Sequence, residues 1–238
     1  MYLLVLDNGN KVKIHEDLIL KYGLLLNKEL DDLLLEKLYQ ENQVYEVYSI
    51  ALKYLNSRLR SKKELSFYLS KKGYSVDIIE LVLKMLEKQS YLSDITYASS
   101  YVHDRILMSN YGPNKIKLEL EQNGISSEII EQVLTSFDES LENERIQKLV
   151  DKQIKQNHNK GSILLKRKIQ SYLLNLGYSS MLVNQNLNGR KLVDDSIARI
   201  EYDKLYAKLS KKYSGKELEY KIKQKMYQKG FIDFNIME

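Results

Sequence analysis

Residues 58–74 read RLRSKKELSFYLSKKGY and predict one short helix with both of its ends marked. Ser61 and Glu64 have the spacing of a capping box, in which each side chain satisfies a free backbone N–H group at the start of the helix. Gly73 can adopt the left-handed conformation that ends a helix, and Tyr74 follows it as an apolar contact.

The glycine that ends this helix recurs three times, and an apolar residue follows it each time. The four pairs are Gly73-Tyr74, Gly124-Ile125, Gly177-Tyr178 and Gly230-Phe231, spaced 51 to 53 residues apart. Apolar residues also lie eight and four positions before each glycine: Leu65 and Leu69, Ile116 and Leu120, Ile169 and Leu173, Ile222 and Met226. A period of about 50 residues is typical of tandem repeats. We therefore predict an all-α fold, an elongated array of three-helix repeats.

The repeats divide the chain into five predicted segments. These are a hairpin and helix in residues 1–43, three-helix repeats in 44–94, 95–140 and 141–192, and an incomplete fourth repeat in 193–238. The tight-turn pair Asn8-Gly9, followed by alternation at Val12 and Ile14, predicts a short N-terminal β-hairpin. A lone hairpin is marginally stable, so it should pack on a helix or pair with a further strand.

Within the repeats we predict three further features. The first helix of repeat one should begin near Val44, after a separate helix capped by Asp31 or Asp32, and Asp94 should cap the first helix of repeat two. The third helix of repeat one, around Leu81, is apolar on most sides. That pattern favours burial over reading of a DNA groove.

The composition restricts the class of protein. The 238 residues include one proline and no cysteine, which favours long helices and excludes disulfides and thiolate metal sites. Asp7 interrupts the only early apolar run, and no apolar stretch approaches the roughly 20 residues needed to span a bilayer. We expect a cytoplasmic protein without a membrane partner.

The net charge of +5 is unevenly distributed along the chain. Acidic and basic segments alternate before the chain ends basic. Such alternation fits a partner that carries both signs of charge, such as protein together with nucleic acid. It also fits variation among solvated helix faces, because surface charges contribute little to stability.

Two ordered motifs carry a family resemblance. Residues 51–74 follow the pattern ALxxLxxRxRSxxELxxxLxxKGY, and residues 91–125 follow YLSDxxYAxxYVxxRxxxxxxGPxxIxxxLxxxGI. They resemble the first and second repeats of the RecX regulatory family, the modulators of the RecA recombinase. Ser93 stands where that family usually has an acidic residue, and Tyr97 where it usually has phenylalanine.

The resemblance implies a curved, all-helical and non-catalytic protein of tandem three-helix units. It implies binding to RecA–DNA filaments along their helical groove, where the protein would limit strand exchange, ATP hydrolysis and co-protease activity in recombination, DNA repair and the SOS response. The expected partners are the RecA filament and single- and double-stranded DNA. We expect a monomer without a cofactor. The alternative is a helical nucleic-acid-binding or adaptor scaffold with a different protein partner.

No catalytic or metal site is predicted. The chain lacks a phosphate-binding loop and a dinucleotide-binding turn. The three histidines, His15, His103 and His158, are scattered, and the solvated surface is their favoured place.

The basic residues are the candidate site. The pairs Lys62-Lys63 and Lys166-Arg167 precede the closing glycines of their repeats by eleven and ten residues, which predicts paired charge at the start of two second helices. Positive charge there opposes the helix dipole, so its repetition indicates a partner. The predicted partner and nucleic-acid site comprises Arg58, Arg60, Lys62, Lys63, Lys71, Lys72, Arg105, Lys166, Arg167 and Lys168. The 19 tyrosines could stack on bases, but their helical spacing favours the edge of the core.

Overall fold

Helices form most of the chain in the computed structural model, which describes residues 2–7, 9–24, 29–157, 160–193 and 195–231. The elements are β1 (Tyr2–Val5), β2 (Lys11–Ile14), α1 (Glu16–Tyr22), α2 (Asp32–Leu55), α3 (Lys62–Lys71), α4 (Val76–Lys88), α5 (Asp94–Met108), α6 (Pro113–Gln122), α7 (Ser127–Leu134), α8 (Glu139–Gln156), α9 (Ser162–Asn175), α10 (Ser180–Leu187), α11 (Asp195–Leu209) and α12 (Gly215–Gln228). The predicted all-helical fold with a short N-terminal hairpin is confirmed.

The N-terminal hairpin packs on a helix, as predicted. Strands β1 and β2 pair antiparallel, with Tyr2 opposite Ile14. Ile14 is buried in a small core with residues of α1 and α2. Asn42 on α2 ties the hairpin down, because its Oδ1 accepts the His15 N–H over 3.0 Å and its Nδ2 donates to the Lys13 carbonyl over 2.8 Å. The buried amide therefore satisfies backbone groups at the end of β2, where the described residues supply no third strand.

Helix α2 is longer than predicted. It begins at Asp32, and the Asp31 side chain caps it by accepting the Leu34 N–H over 2.7 Å. It then continues to Leu55, so the predicted helix start near Val44 was wrong. No glycine or proline interrupts these 24 residues, so no local signal ends the helix. The boundaries of the four repeats stay a prediction.

Repeat one has a common core between α2, α3 and α4. Its buried side chains are Val47, Ala51, Leu65, Leu69, Ile79, Val82, Leu83, Leu86 and Leu92. The expected burial of α4 on most sides was wrong for Leu81, which is 50% exposed. An amphipathic helix with one face on two neighbours necessarily leaves its opposite face in solvent.

The four closing glycines have the predicted left-handed conformation, with φ between +80° and +88°. At the end of α3, the Gly73 N–H donates to the Ser70 carbonyl over 2.9 Å and the Tyr74 N–H donates to the Leu69 carbonyl over 3.4 Å. This pair of hydrogen bonds forms a Schellman motif, the helix ending that depends on a left-handed glycine.

In its third helix, repeat three has a polar residue at a position where repeats one and two have valine. Asn186 on α10 stands where α4 has Val82. Its amide donates to Asn143 Oδ1 on α8 over 2.6 Å and to the Leu182 carbonyl over 2.8 Å. The polar residue is therefore paired inside the repeat.

The described chain divides into two compact units. Unit 1 comprises Met1–Tyr101 and Leu120–Ile130, and unit 2 comprises Val102–Glu119 and Glu131–Glu238. Their borders fall within the second predicted repeat. Across the described ranges, no helix is both long enough and apolar enough to cross a membrane. The predicted incomplete end of repeat four falls on residues 232–238, which lie outside the described residues.

Candidate functional site

The N-terminus of α3 is capped by side chains from two helices. The predicted capping box is confirmed, because the Glu64 N–H donates to Ser61 Oγ and the Ser61 N–H donates to Glu64 Oε2, each over 3.1 Å. The Lys62 N–H donates to Asp94 Oδ1 over 2.9 Å. Three backbone donors at the start of this helix are thus satisfied without solvent.

Asp94 therefore has a different role from the predicted one. It is the first residue of α5 rather than its cap. Ser93 takes the capping place, since its Oγ accepts the Thr96 N–H over 3.3 Å. The Asp94 carboxylate is then free to reach α3, where a negative charge interacts favourably with the helix N-terminus.

The first predicted basic pair is held by partners within unit 1. Lys62 Nζ lies 2.7 Å from Glu87 Oε1, and Lys63 Nζ donates to the Gln122 carbonyl over 2.9 Å. Together with Asp94 at the same helix end, these contacts offset the unfavourable position of the two lysines in the helix dipole. Positive charge at the start of α3 is therefore not, by itself, an indication of an external partner.

The second predicted basic pair does not lie at a helix start. Helix α9 has 14 residues against 10 in α3 and begins at Ser162, so Lys166 and Arg167 lie more than one turn inside it. The sequence positions were compared by their distance from the closing glycine, which matches the C-terminal ends of α3 and α9. Because α9 is four residues longer, the N-terminal ends do not match. Lys166 Nζ donates to Asn188 Oδ1 over 3.0 Å, whereas Arg167 is exposed and has no polar partner in the described part of unit 2.

Arg58 and Arg60 are bound to their own segment. Arg58 Nη2 lies 2.6 Å from Glu64 Oε1. The Arg60 side chain is only 15% exposed, and its guanidinium lies 4.3 Å from the centroid of the Tyr54 ring. Arg60 Nη2 also donates to Ser57 Oγ over 3.2 Å. These arginines order the turn between α2 and α3, and Arg60 offers little surface to a partner.

Two other predicted cations are also occupied, both in unit 2. Arg105 Nε lies 3.1 Å from Glu119 Oε2, and its guanidinium lies 5.5 Å from the Tyr111 ring centroid. Lys168 Nζ donates to Asn157 Oδ1. Exposed ion pairs contribute about 0–1 kcal/mol, so these side chains remain exchangeable with an external partner.

Lys71 and Lys72 are the most available of the predicted cations in unit 1. Both are exposed at the end of α3, and no described carboxylate lies within ion-pair distance of either. Their ammonium groups lie over aromatic rings, Lys71 at 4.5 Å from Phe67 and Lys72 at 5.2 Å from Tyr68. Phe67 is 61% exposed. The end of α3 thus presents two cations and an uncovered ring.

The tyrosines of repeat one illustrate the favoured core-edge role. The rings of Tyr54 and Tyr68 stack at 3.8 Å between centroids, within 3° of parallel. Arg60 and Lys72 cover the two outer faces of this pair. Both outer faces of the stacked pair are therefore occupied within unit 1.

Sequence reasoning missed a second basic surface, at the turn between α11 and α12. Its lysines are exposed and have no carboxylate partner in the described part of the chain: Lys208, Lys211, Lys212 and Lys216. Exposed tyrosines, Tyr206 and Tyr220, lie on the adjoining helices. The signal was present, because residues 208–216 contain four lysines and no acidic residue. We call these four lysines the turn lysines.

The structure describes two of the three histidines. His15 Nδ1 accepts the Asp17 N–H over 3.4 Å, and its ring stacks on Tyr45 at 4.7 Å. His103 is exposed on α5, and His158 lies outside the described residues. Among the residues that the structure describes, no three His, Cys, Asp or Glu side chains converge as metal ligands would.

A cleft of about 470 Å³ opens in unit 1 beside α3 and α4. Ile79 and Leu83 line its apolar side, and Lys62, Glu80 and Asp94 line its charged side. This mixed lining suits a protein side chain better than a phosphate, because the charges nearly balance.

Comparison with known proteins identifies the family. Sequence models of the first and second three-helix domains of RecX match residues 48–86 and 93–134. The regulatory protein RecX of Halalkalibacterium halodurans is 31% identical over 233 residues, which cover 94% of this chain and 88% of the relative. That of Streptococcus pyogenes serotype M5 is 32% identical over 237 residues, covering 97% and 91%.

Solved structures agree with this similarity. A crystal structure of a regulatory protein RecX is 27% identical, with a TM-score of 0.73, and the match covers 79% of this chain and 94% of that one. A crystal structure of RecX from Lactobacillus salivarius is 28% identical, with a TM-score of 0.58, over 60% and 94% of the two chains. The similarity extends over nearly the whole sequence, and this chain belongs to the RecX family.

Proposed function

We propose that this chain binds filaments of the RecA recombinase on DNA and modulates their activity, mainly by inhibition. The activities affected would be strand exchange, ATP hydrolysis and the co-protease role, in recombination, DNA repair and the SOS response. The observation that supports the proposal most strongly is the similarity to regulatory RecX proteins over 94–97% of the chain. The proposed protein is a non-catalytic cytoplasmic monomer.

The distribution of charged groups supports a partner of mixed composition. Unit 1 offers Lys71 and Lys72 beside an exposed ring, together with the cleft of nearly balanced charge. Unit 2 offers Arg167 and the turn lysines. Lysines without carboxylate partners suit phosphates, and an amphipathic cleft suits protein side chains. A RecA–DNA filament presents both kinds of group to a bound protein.

A second candidate is a nucleic-acid-binding scaffold that acts without RecA. The turn lysines and the exposed tyrosines beside them favour this alternative, because cations and aromatic rings together form sites for single strands.

A direct binding comparison separates the two candidates. A fluorescently labelled chain is titrated with RecA–single-stranded DNA filaments, with the same DNA alone, and with duplex DNA, all at one salt concentration. We expect the filament to bind at least about tenfold more tightly than either DNA, a difference of about 1.4 kcal/mol. Equal affinity for naked DNA and filament would favour the scaffold instead.

A further inference from the structure

In unit 2, the second helices of neighbouring repeats are joined end to end through their backbones. In unit 2, the N-terminus of α6 meets the C-terminus of α9. The Gly112 N–H donates to the Leu176 carbonyl over 2.7 Å, and the Asn114 N–H donates to the Gly177 carbonyl over 3.0 Å. Free donors at the start of one helix thereby satisfy free acceptors at the end of another. We call this contact a helix joint, with a donor end and a receiving end.

The joint recurs between the next two second helices in unit 2. The Gly161 N–H before α9 donates to the Lys229 carbonyl over 2.9 Å, and the Ile163 N–H donates to the Gly230 carbonyl over 3.3 Å. In unit 1 the start of α3 approaches Gly124 more loosely. There the Lys63 side chain, rather than the backbone, donates to a carbonyl near the end of α6.

Close approach at the joints leaves no room for a side chain. A Cβ atom added at Gly177 would lie 2.4 Å from the Lys115 backbone nitrogen, and one added at Gly230 would lie 2.8 Å from the Leu164 side chain. At Gly124 the corresponding distance, to Lys63, is also 2.8 Å. Each of these three receiving ends is therefore filled by the helix that docks on it.

The end of α3 has the same receiving geometry without a donor. Gly73 has φ +88°, like Gly177 at +87°, yet beyond its own chain neighbours no described atom lies within 4 Å of the position of an added Cβ. Gly73 is exposed. Among the described residues, no backbone N–H donates to the carbonyl of Lys72 or Gly73. The corresponding carbonyls at Leu176 and Gly177 both accept hydrogen bonds.

The charges around this open end specify its donor. Directly after α12, Lys229 occupies the place of Lys72, and its ammonium binds the carboxylate of Glu201 within unit 2. Lys71 and Lys72 have no such carboxylate among the described residues, and α6 and α9 carry no basic residue in their last turns. A donor that supplies carboxylates would complete the α3 end. Acidic residues are common in the first turn of helices, where the dipole favours them.

We propose that the C-terminal end of α3 receives the N-terminus of an α-helix from a partner protein. The incoming helix has a small residue at its N-cap and acidic residues in its first turn. Its backbone N–H groups bind the carbonyls of Lys72 and Gly73, and its carboxylates pair with Lys71 and Lys72. This inference rests on the proposed function, because we assign the incoming helix to the protein subunits of the filament.

The test uses two matched glycine variants of the full chain. Gly73→Asn fills the open space above α3 with a side chain, and asparagine tolerates a left-handed φ better than other substituents do. Gly189→Asn is the control, since Gly189 belongs to unit 2, has φ +70° and likewise has space for an added Cβ. Binding to RecA–single-stranded DNA filaments is measured for both, with thermal unfolding to establish that each variant folds.

We expect Gly73→Asn to weaken filament binding about tenfold or more, about 1.4 kcal/mol for the loss of two hydrogen bonds and their contact, while Gly189→Asn binds as the unmodified chain does. A Lys71→Glu, Lys72→Glu double variant, which keeps the glycine, should weaken filament binding to a similar extent. It provides a second measurement if Gly73→Asn does not fold.

The outcomes separate the two proposals. If the unmodified chain fails to bind filaments, the proposed function fails. If it binds and neither the asparagine variant nor the double variant weakens binding, this inference alone is overturned. It is equally overturned if the changes at α3 abolish only association between copies of this chain, because a second copy is then the occupant.

Discussion

Asn114, at the start of α6, donates its backbone N–H to the carbonyl oxygen of Gly177, beyond the end of α9, over 3.0 Å. The positive end of one helix dipole therefore meets the negative end of another. The joint needs a left-handed residue without a side chain at its receiving end, so Gly177 and Gly230 are required both for the backbone conformation and for the close approach. The same position thus serves both helix termination and packing between neighbouring repeats.

The first prediction compares two glycines with the same backbone conformation. Gly73→Ala should cost about 1 kcal/mol of unfolding free energy, since only the strain of a positive φ is added. Gly177→Ala should cost clearly more, because its new Cβ would lie 2.4 Å from the Lys115 nitrogen and the joint would have to open. Urea unfolding of the two variants measures the difference. Equal costs would show that the joint adds nothing to the strain.

The second prediction concerns the carboxylate that caps α3 from α5. Asp94→Ala should lower the unfolding free energy by about 1 kcal/mol, the usual cost of removing a helix cap, because the Lys62 N–H would lose its acceptor. Asp94→Asn keeps an acceptor oxygen and should cost less. Thermal unfolding measured for both variants provides the comparison. An alanine variant as stable as the asparagine variant would contradict the capping role.

Glu142 is the basis of a prediction about pH. Burial raises the pKa of its carboxyl, although the Ser179 N–H donates to Oε1 over 2.8 Å and opposes the shift. A carboxyl whose folded pKa exceeds its unfolded pKa stabilises the fold at low pH, and this contribution is lost as the pH rises through the folded value. The charged form therefore destabilises the folded chain at neutral pH.

Glu142→Gln keeps the acceptor oxygen and removes the charge. We expect a higher melting temperature than that of the unmodified chain at neutral pH, and a difference that shrinks as the pH falls through the raised folded pKa toward the ordinary pKa of a glutamate. Glu144→Gln is the control on the same helix, because Lys148 lowers the pKa of that exposed carboxyl and a gain is not expected there. A pH-independent effect of Glu142→Gln would contradict the assignment.

Local signals in the sequence were sufficient for both ends of α3 and insufficient for contacts between helices. The box of Ser61 and Glu64 and the left-handed Gly73 depend on residues within one turn, so spacing alone identified them. Asp94 could not be assigned in this way, because its carboxylate binds Lys62, which is 32 residues away. Nothing local distinguishes an aspartate that caps its own helix from one that caps another.

The candidate site shows the same limit. The charge of Lys62 and Lys63 was visible, but their partners Glu87 and Gln122 come from other helices. Whether Lys166 lies at the start of α9 depends on where that helix begins. The distance from Lys166 to the closing glycine does not give the start of the helix. The turn lysines, in contrast, form a run that composition alone could have identified.

The predicted basic pairs are tested together. Replacing Lys62, Lys63, Lys166 and Arg167 with alanine should leave the melting temperature nearly unchanged, since exposed ion pairs contribute about 0–1 kcal/mol each. We expect weaker binding to RecA–DNA filaments. If the four side chains meet single-strand phosphates, the slope of log affinity against log salt should fall by about 0.7 for each lost contact. Unchanged filament binding by a folded variant would exclude these residues from the interface.

The turn lysines give a matched comparison of equal charge change. Replacing Lys208, Lys211, Lys212 and Lys216 with alanine should reduce the salt slope for DNA by about 0.7 per lost phosphate contact, because none has a described carboxylate partner to release. Binding to naked single-stranded DNA at several salt concentrations measures this. A slope equal to that of the unmodified chain would show that the turn does not contact phosphates.

The measurement that tests RecA modulation most directly is a strand-exchange reaction. RecA is assembled on single-stranded DNA with ATP, increasing amounts of the chain are added, and joint-molecule formation and ATP hydrolysis are followed together. We predict that both fall in proportion to the fraction of filament occupied by the chain. Undiminished strand exchange and ATP hydrolysis at concentrations that saturate the filament would contradict the proposed function.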